Sequence, residues 1–210
     1  MSTLTPTPTE RPLRRDAAHN RERILDAAAS VFADRGLDAG VEEIARVAGV
    51  GMGTLYRRFP TKEALISALV HEMLESMLSI AEQAIAQPDG RGLEHFLEAS
   101  SAYQAAHRGC LPRMWNIGAA HESVQRMRRM IATLLADAKR HGRARQELTN
   151  TDLTMVMWSI RGVIETTGGV APDGWRRQLD IVLAGLRPAD QPLRHGPLTR
   201  QQVDKVIAAS

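Results

Sequence analysis

The chain has 210 residues, 43% of them hydrophobic and 24% charged, with a formal net charge of +3 and a single cysteine. This length supports one sizeable helical core or a small unit joined to a larger domain, and the lone Cys110 excludes an intrachain disulfide and has no metal-ligand partners beside it. Met1 to Glu10 is Thr/Pro-rich without the apolar run of a signal peptide, and no later stretch offers about 18 uninterrupted apolar residues, so a soluble, cytoplasmic chain without a membrane partner is expected.

Residues 1 to 15 hold three of the ten prolines and show no apolar period, which predicts a flexible basic arm. Arg11, Arg14, Arg15, Arg21 and Arg23 cluster before and inside the first helix, which is expected to begin between Asp16 and Asn20. Ile24, Leu25, Ala28, Val31 and Phe32 then recur on one helical face, and Gly36 supplies the stop. A short helix from Val41 to Ala48, the turn Gly49-Val50-Gly51 and a second short helix through Phe59 make a helix-turn-helix. Gly49 relieves the turn, Ala45 is small enough for close helix approach, and Val50 and Leu55 can plug the angle. Residues 1 to 62 carry ten Lys/Arg against eight Asp/Glu, whereas positions 51 to 62 hold Arg57, Arg58 and Lys62 with no acid. Cations in that arrangement suit phosphate contacts, because neutralising DNA releases condensed counterions; a solvated helix face has the same composition.

Pro60 ends the second short helix and Thr61 can cap the next, with Glu63 in its first turn. That helix is expected over residues 61 to 87, roughly 40 Å at 1.5 Å per residue, with a wide apolar stripe from Leu65 to Leu78. Pro88-Asp89-Gly90 breaks the chain. Leu93, Phe96, Leu97, Ser100 and Tyr103 mark another helix, followed by an irregular region near Gly109 to Trp115. Val124, Met127, Ile131, Leu134, Leu135 and Ala138 form a further stripe ending at His141-Gly142. From Asp152 to Gly168, Leu153, Val156, Met157, Ile160, Val163, Ile164 and Thr167 make one full face, while Met155 and Trp158 make another side apolar, so this helix needs two neighbours. Pro172 is expected to start the next helix, with Trp175, Leu179, Val182, Leu183 and Leu186 on one face and Ile181 off it. One of these two surfaces is the expected dimer interface. A last short helix is specified by Thr199 as N-cap, Gln202 as capping-box partner and Leu198 opposite Val203 as a staple. The predicted fold is all-α: an arm over 1–15, a three-helix helix-turn-helix domain over 16–62, and a larger helical effector-binding and dimerisation domain over 63–210, with the long helix bridging both.

The stretch RILDAAASVFADRGLDAGVEEIARVAGVGMGTLYRRFPTKEALISAL, Arg23 to Leu69, resembles the N-terminal domain of the TetR family of bacterial regulators. Ile24 with Ala28, Phe32, Gly36, Glu43-Ile44-Ala45, Ala48-Gly49-Val50, Gly53-Thr54-Leu55-Tyr56, Phe59 and Lys62-Glu63-Ala64-Leu65 stand at the family's spacing. The C-terminal part, Trp175 to Thr199 with Gly185-Leu186-Arg187-Pro188, resembles an actinobacterial branch of that family. The resemblance implies a DNA-binding transcriptional regulator, most often a ligand-responsive repressor, bound as a homodimer to a near-palindromic double-stranded operator. It implies Met52, Gly53 and Thr54 against base edges in the major groove, Tyr56 and Lys62 on phosphates, and Arg57 and Arg58 at neighbouring backbone or base contacts. The chemistry agrees: Thr and Met side chains can read base edges, whereas Tyr hydroxyl and Lys ammonium position a protein on phosphates. Gly40-Val41 and Gly51 depart from the family, which usually has hydroxyl residues there. An Arg-rich arm in the minor groove can compensate.

No GxGxxG after a strand, P-loop, GxSxG, HExxH or CxxC occurs, so no catalytic residue, metal ligand or cofactor is expected, and the reading is not an enzyme. His71 and Glu75 share a helical face as a surface pair. The resemblance implies that a small-molecule effector binds between helices of the C-terminal domain and moves the recognition helices out of register. Tyr103, Met114, Trp115, Met127 and Met130 can line such a pocket, with His95, His107 and His121 as polar candidates, although Met and aromatic stripes also serve as plain core. The alternative from another class is a helical small-molecule-binding or interaction protein with a non-functional helix-turn-helix.

Overall fold

The computed structural model describes residues 10–108 and 122–209, and every regular element among them is a helix. In chain order these are α1 (Glu10–Arg35), α2 (Val41–Ala48), α3 (Met52–Arg58), α4 (Lys62–Ile85), α5 (Gly92–Ala106), α6 (Glu122–Arg140), α7 (Asn150–Thr167), α8 (Gly174–Leu186) and α9 (Arg200–Ala209). The all-α class read from the sequence is therefore the observed one. The chain divides into two compact units, Met1–His71 and Glu72–Ser210, and the division falls inside α4, somewhat beyond the Lys62 boundary drawn from the sequence. Residues 1–9 of the expected arm, Cys110, Met114, Trp115 and His121 lie outside the described residues.

In the first unit α1 starts at Glu10, earlier than the expected Asp16, so residues 10 to 15 are helical rather than a flexible arm. Pro12 stands in the first turn of this helix and does not break it. In the first turn of a helix its missing N–H removes a donor that has no intrahelical partner anyway, and its fixed φ suits the helix. The predicted face is buried: Ile24, Leu25, Ala28, Val31 and Phe32 are each at most 5% exposed. Gly36 N–H donates to Phe32 O at 2.9 Å and closes the helix. At about 1.5–3 kcal/mol for each large apolar side chain fully buried, this stripe is what holds α2 against α1.

α4 is long and apolar enough, by length and composition alone, to cross a membrane. The core helix of a soluble protein has the same profile, and Leu65, Ile66, Leu69, Val70, Met73, Met77 and Leu78 are all buried. Thr61 caps it as expected, its Oγ1 accepting from Ala64 N–H at 3.0 Å.

In the second unit α5 begins at a glycine for a steric reason. A Cβ on Gly92 would stand 2.4 Å from Ala84 O and 2.8 Å from Leu134 Cδ2, so the end of α4, the start of α5 and α6 converge on that position. Leu134, Leu135, Leu153, Ile160, Ile164, Trp175 and Leu179 fill the core around it. α7 starts two residues before the expected Asp152, because Thr149 is its N-cap: Asp152 N–H donates to Thr149 Oγ1, and Thr149 N–H donates to Asp152 Oδ2 at 2.7 Å. α8 starts at Gly174 after the expected Pro172. The segment between α8 and α9 is tied down by Arg145, which donates to Gly185 O at 2.9 Å and Gln191 O at 2.7 Å, and by Thr151 Oγ1, which donates to Leu198 O at 2.7 Å. The capping box of α9 forms as read, with Thr199 N–H to Gln202 Oε1 at 2.8 Å and Gln202 N–H to Thr199 Oγ1 at 3.3 Å. Val203 is buried and lines one groove together with Leu198.

Candidate nucleic-acid interface

The inner face of α2 is Val41, Ile44, Ala45 and Ala48, all buried. The turn after it needs a residue at positive φ, and Gly49 supplies it with φ 62 and ψ 37. Val50 N–H donates to Ala45 O at 3.0 Å and Gly49 N–H to Arg46 O at 3.2 Å, which satisfies the last carbonyls of α2 while redirecting the chain. Gly51 then caps α3 in extended backbone, and neither Gly40 nor Gly51 contributes a side-chain cap. Leu55, 1% exposed, is the one buried residue of α3, and Phe59 is buried just past its end.

With Leu55 inward, the rest of α3 faces outward. Gly53, Tyr56, Arg57 and Arg58 are exposed, Met52 and Thr54 are half-buried, and Tyr56 keeps 45% of its surface open despite being aromatic. Lys62, half-buried at the start of α4, has its Nζ 6.0 Å from the centroid of the Phe32 ring, at the outer limit of a cation–π contact. Glu43, the half-buried acid of α2, is held by Arg35 at 2.8 Å and Arg46 at 3.5 Å. Neither Arg57 nor Arg58 is in an ion pair with a described residue. The outer end of the first unit thus presents a tyrosine hydroxyl, two guanidiniums and a threonine on a two-turn helix without an acid.

A cavity of about 110 Å³ lies within the second unit, lined by α4, α6, α7 and α9, with Met77, Met127, Ile131, Met157, Trp158 and Ile207 in its wall. Of the pocket residues expected from the sequence that fall among the described residues, Tyr103, Met127 and Met130, it takes only Met127. Tyr103 instead stacks on His107, ring centroids 4.1 Å apart, and Met130 is half-buried away from the cavity. His107 Nδ1 sits 2.8 Å from Tyr103 O, and His95 is half-buried on α5. Trp158 stands on the second apolar side expected of its helix, which is the signal that marks it. Ile207 carried no such signal, since only tertiary packing brings α9 to the cavity. His71 and Glu75 are exposed, and no group of three metal-ligating side chains occurs among the described residues.

Two family models match the chain: bacterial regulatory proteins of the tetR family over residues 24–69, and the C-terminal domain of SbtR-like transcriptional regulators over residues 88–188. The crystal structure of the TetR transcription regulatory protein from Mycobacterium vanbaalenii is 31% identical, covers 84% of this chain and 100% of its own, and superposes with a TM-score of 0.63. The chain belongs to the TetR family. The TetR transcriptional regulator SCO0520 from Streptomyces coelicolor agrees, at 33% identity over 80% of this chain and 99% of its own with a TM-score of 0.62. The HTH-type transcriptional repressor KstR2 of Rhodococcus jostii is 28% identical over 86% of this chain and 79% of its own length. This TetR-family chain is therefore a DNA-binding transcriptional regulator, with the first match covering α1 from Ile24, α2, α3 and the start of α4 and the second covering α5 to α8.

Proposed function

We propose that the regulator is a ligand-responsive repressor that binds a near-palindromic operator as a homodimer. The observation that carries this reading is the exposed, acid-free outer face of α3 followed by Lys62. Met52, Gly53 and Thr54 lie against base edges in the major groove, Tyr56 and Lys62 hold phosphates, and Arg57 and Arg58 contact neighbouring backbone or bases. The effector is a small, largely apolar molecule in the cavity among α4, α6, α7 and α9, and its binding moves the two recognition helices out of register with the operator.

Dimerisation uses α7 and α8. Met155, Ser159 and Gly162 on α7 and Ile181 and Gly185 on α8 are exposed, and Met155 and Ile181 are large apolar side chains left in water at 39% and 54%. Small residues beside them let two helices approach closely, as a two-fold interface requires.

Footprinting on the regulator's own promoter tests the reading. A protected near-palindrome whose protection disappears in the Tyr56→Phe, Lys62→Ala double variant, with folding intact, is expected. Sequence-independent binding alone overturns it, and favours a helical interaction protein with an unused helix-turn-helix.

A further inference from the structure

The apolar cavity has one charged residue in its described wall. Arg128 of α6 lines it, with its side chain 24% exposed. Its Nη2 donates to Asp204 Oδ1 of α9 at 2.5 Å, whereas its Nη1 is buried with no hydrogen-bond partner among the described residues. The polar lining groups nearby do not answer it: Thr154 Oγ1 is turned to Asn150 O at 3.1 Å, and Ser123 is already engaged. A guanidinium cannot shed its proton to escape this position, so an unmade bond at Nη1 is a standing cost that an acceptor oxygen removes.

Charge around the pair points the same way. Arg200 Nε stands 3.8 Å from Asp204 Oδ2, so one carboxylate faces two guanidiniums and the local balance is positive. Ile207, three residues beyond Asp204 on α9, reaches the cavity wall. The apolar wall and the polar end are thus built by the same two helices.

We propose that Arg128 is the polar anchor of this cavity, which takes an apolar molecule ending in a hydrogen-bond acceptor oxygen, a carboxylate or an acyl carbonyl. This rests on the effector reading above and adds the chemical class of the ligand. The apolar body lies against Met77, Met127, Met157 and Trp158, and the oxygen accepts from Arg128 Nη1.

Three probes that share one body test it: 4-butylbenzoate, its methyl ester, and butylbenzene, titrated into the full-length protein by calorimetry and by tryptophan fluorescence. The wild type is expected to bind the acid and the ester at least about tenfold more tightly than butylbenzene, a comparison that needs no variant. A preference for acid over ester identifies a carboxylate ligand, and equal binding of the two identifies a neutral carbonyl. Arg128→Met is expected to abolish that preference, so that the acid and the ester bind the variant no more tightly than butylbenzene does. Asp204→Asn, which keeps Nη1 but removes the ion pair, is expected to retain it. Butylbenzene bound as tightly as the acid and ester in the wild type overturns the anchor and leaves the cavity an apolar effector site. The same holds if Arg128→Met keeps the preference. Failure of all three probes to bind overturns both the anchor and the effector reading of the cavity.

Discussion

Arg23 on α1 donates from Nη2 to the carbonyl of Gly49 at 3.3 Å, 26 residues away, and the same nitrogen stands 2.6 Å from where a Cβ on residue 49 would lie. The turn of the helix-turn-helix is thereby pinned to the preceding helix, and residue 49 is restricted twice, by its positive φ and by its neighbour. Gly49→Ala is expected to destabilise the first unit by about 1–2 kcal/mol, the usual cost of a left-handed L-residue. Arg23→Ala combined with it should recover the part due to the crowded guanidinium, giving a less than additive cycle in urea unfolding. Strict additivity would show that the arginine simply swings aside.

Base and phosphate roles on α3 separate by salt and by sequence. Lys62→Ala, just beyond α3, which removes one of the proposed phosphate contacts, is expected to weaken binding to all duplexes alike and to lower the slope of log K against log salt by about one. Thr54→Val should leave that slope alone and change the preferred base at one position of each half-site. Fluorescence anisotropy over a salt series on operator and single-mismatch duplexes reads both.

Ile181→Glu places a charge in the exposed apolar surface shared by α7 and α8. Sedimentation velocity is expected to move from a dimer to a monomer with helicity unchanged, and operator affinity should fall with it, because two half-sites then bind independently. A dimer that persists in Ile181→Glu and in Met155→Glu places the two-fold interface elsewhere.

Thr149→Ala removes the side-chain half of the α7 cap. The loss expected is about 1 kcal/mol, read as a lower midpoint in thermal unfolding. Thr149→Ser keeps the acceptor oxygen and should restore most of the loss.

Glu147 responds to pH. Its own backbone N–H holds its carboxyl below the ordinary glutamate value, opposed by desolvation and assisted by the Leu193 N–H and by Arg145. A depressed carboxylate contributes stability that is present above the unfolded value and lost as pH falls through the folded one. The segment bearing Leu193 is therefore expected to exchange its amides faster under acid conditions, and Glu147→Gln should make that exchange insensitive to pH over the same range.

What the residue pattern revealed depended on how local the cause was. Ile24 to Phe32, Leu153 to Ile164 and the Thr199–Gln202 box were legible because their neighbours in space are three or four positions away in the chain. Thr149 obeys the same rule and was missed, since Asp152 occupies the place where glutamate usually signals a capping box. The start of α1 was hidden by Pro12, whose meaning reverses between the interior and the first turn of a helix. At the recognition helix, spacing and resemblance together nominated Met52 to Lys62, whereas the cavity wall was largely illegible. Arg128 meets Asp204 across 76 positions, and no periodicity in α6 marks a basic residue that faces inward.

Position 92 carries a different kind of message. Since any Cβ there meets the Ala84 carbonyl at 2.4 Å, and backbone cannot yield as the tip of a side chain does, α5 keeps its place only while this residue stays bare. In a library of random substitutions selected for operator control, position 92 should therefore remain empty of replacements, a silent column beside the freely varying surface of the same helix.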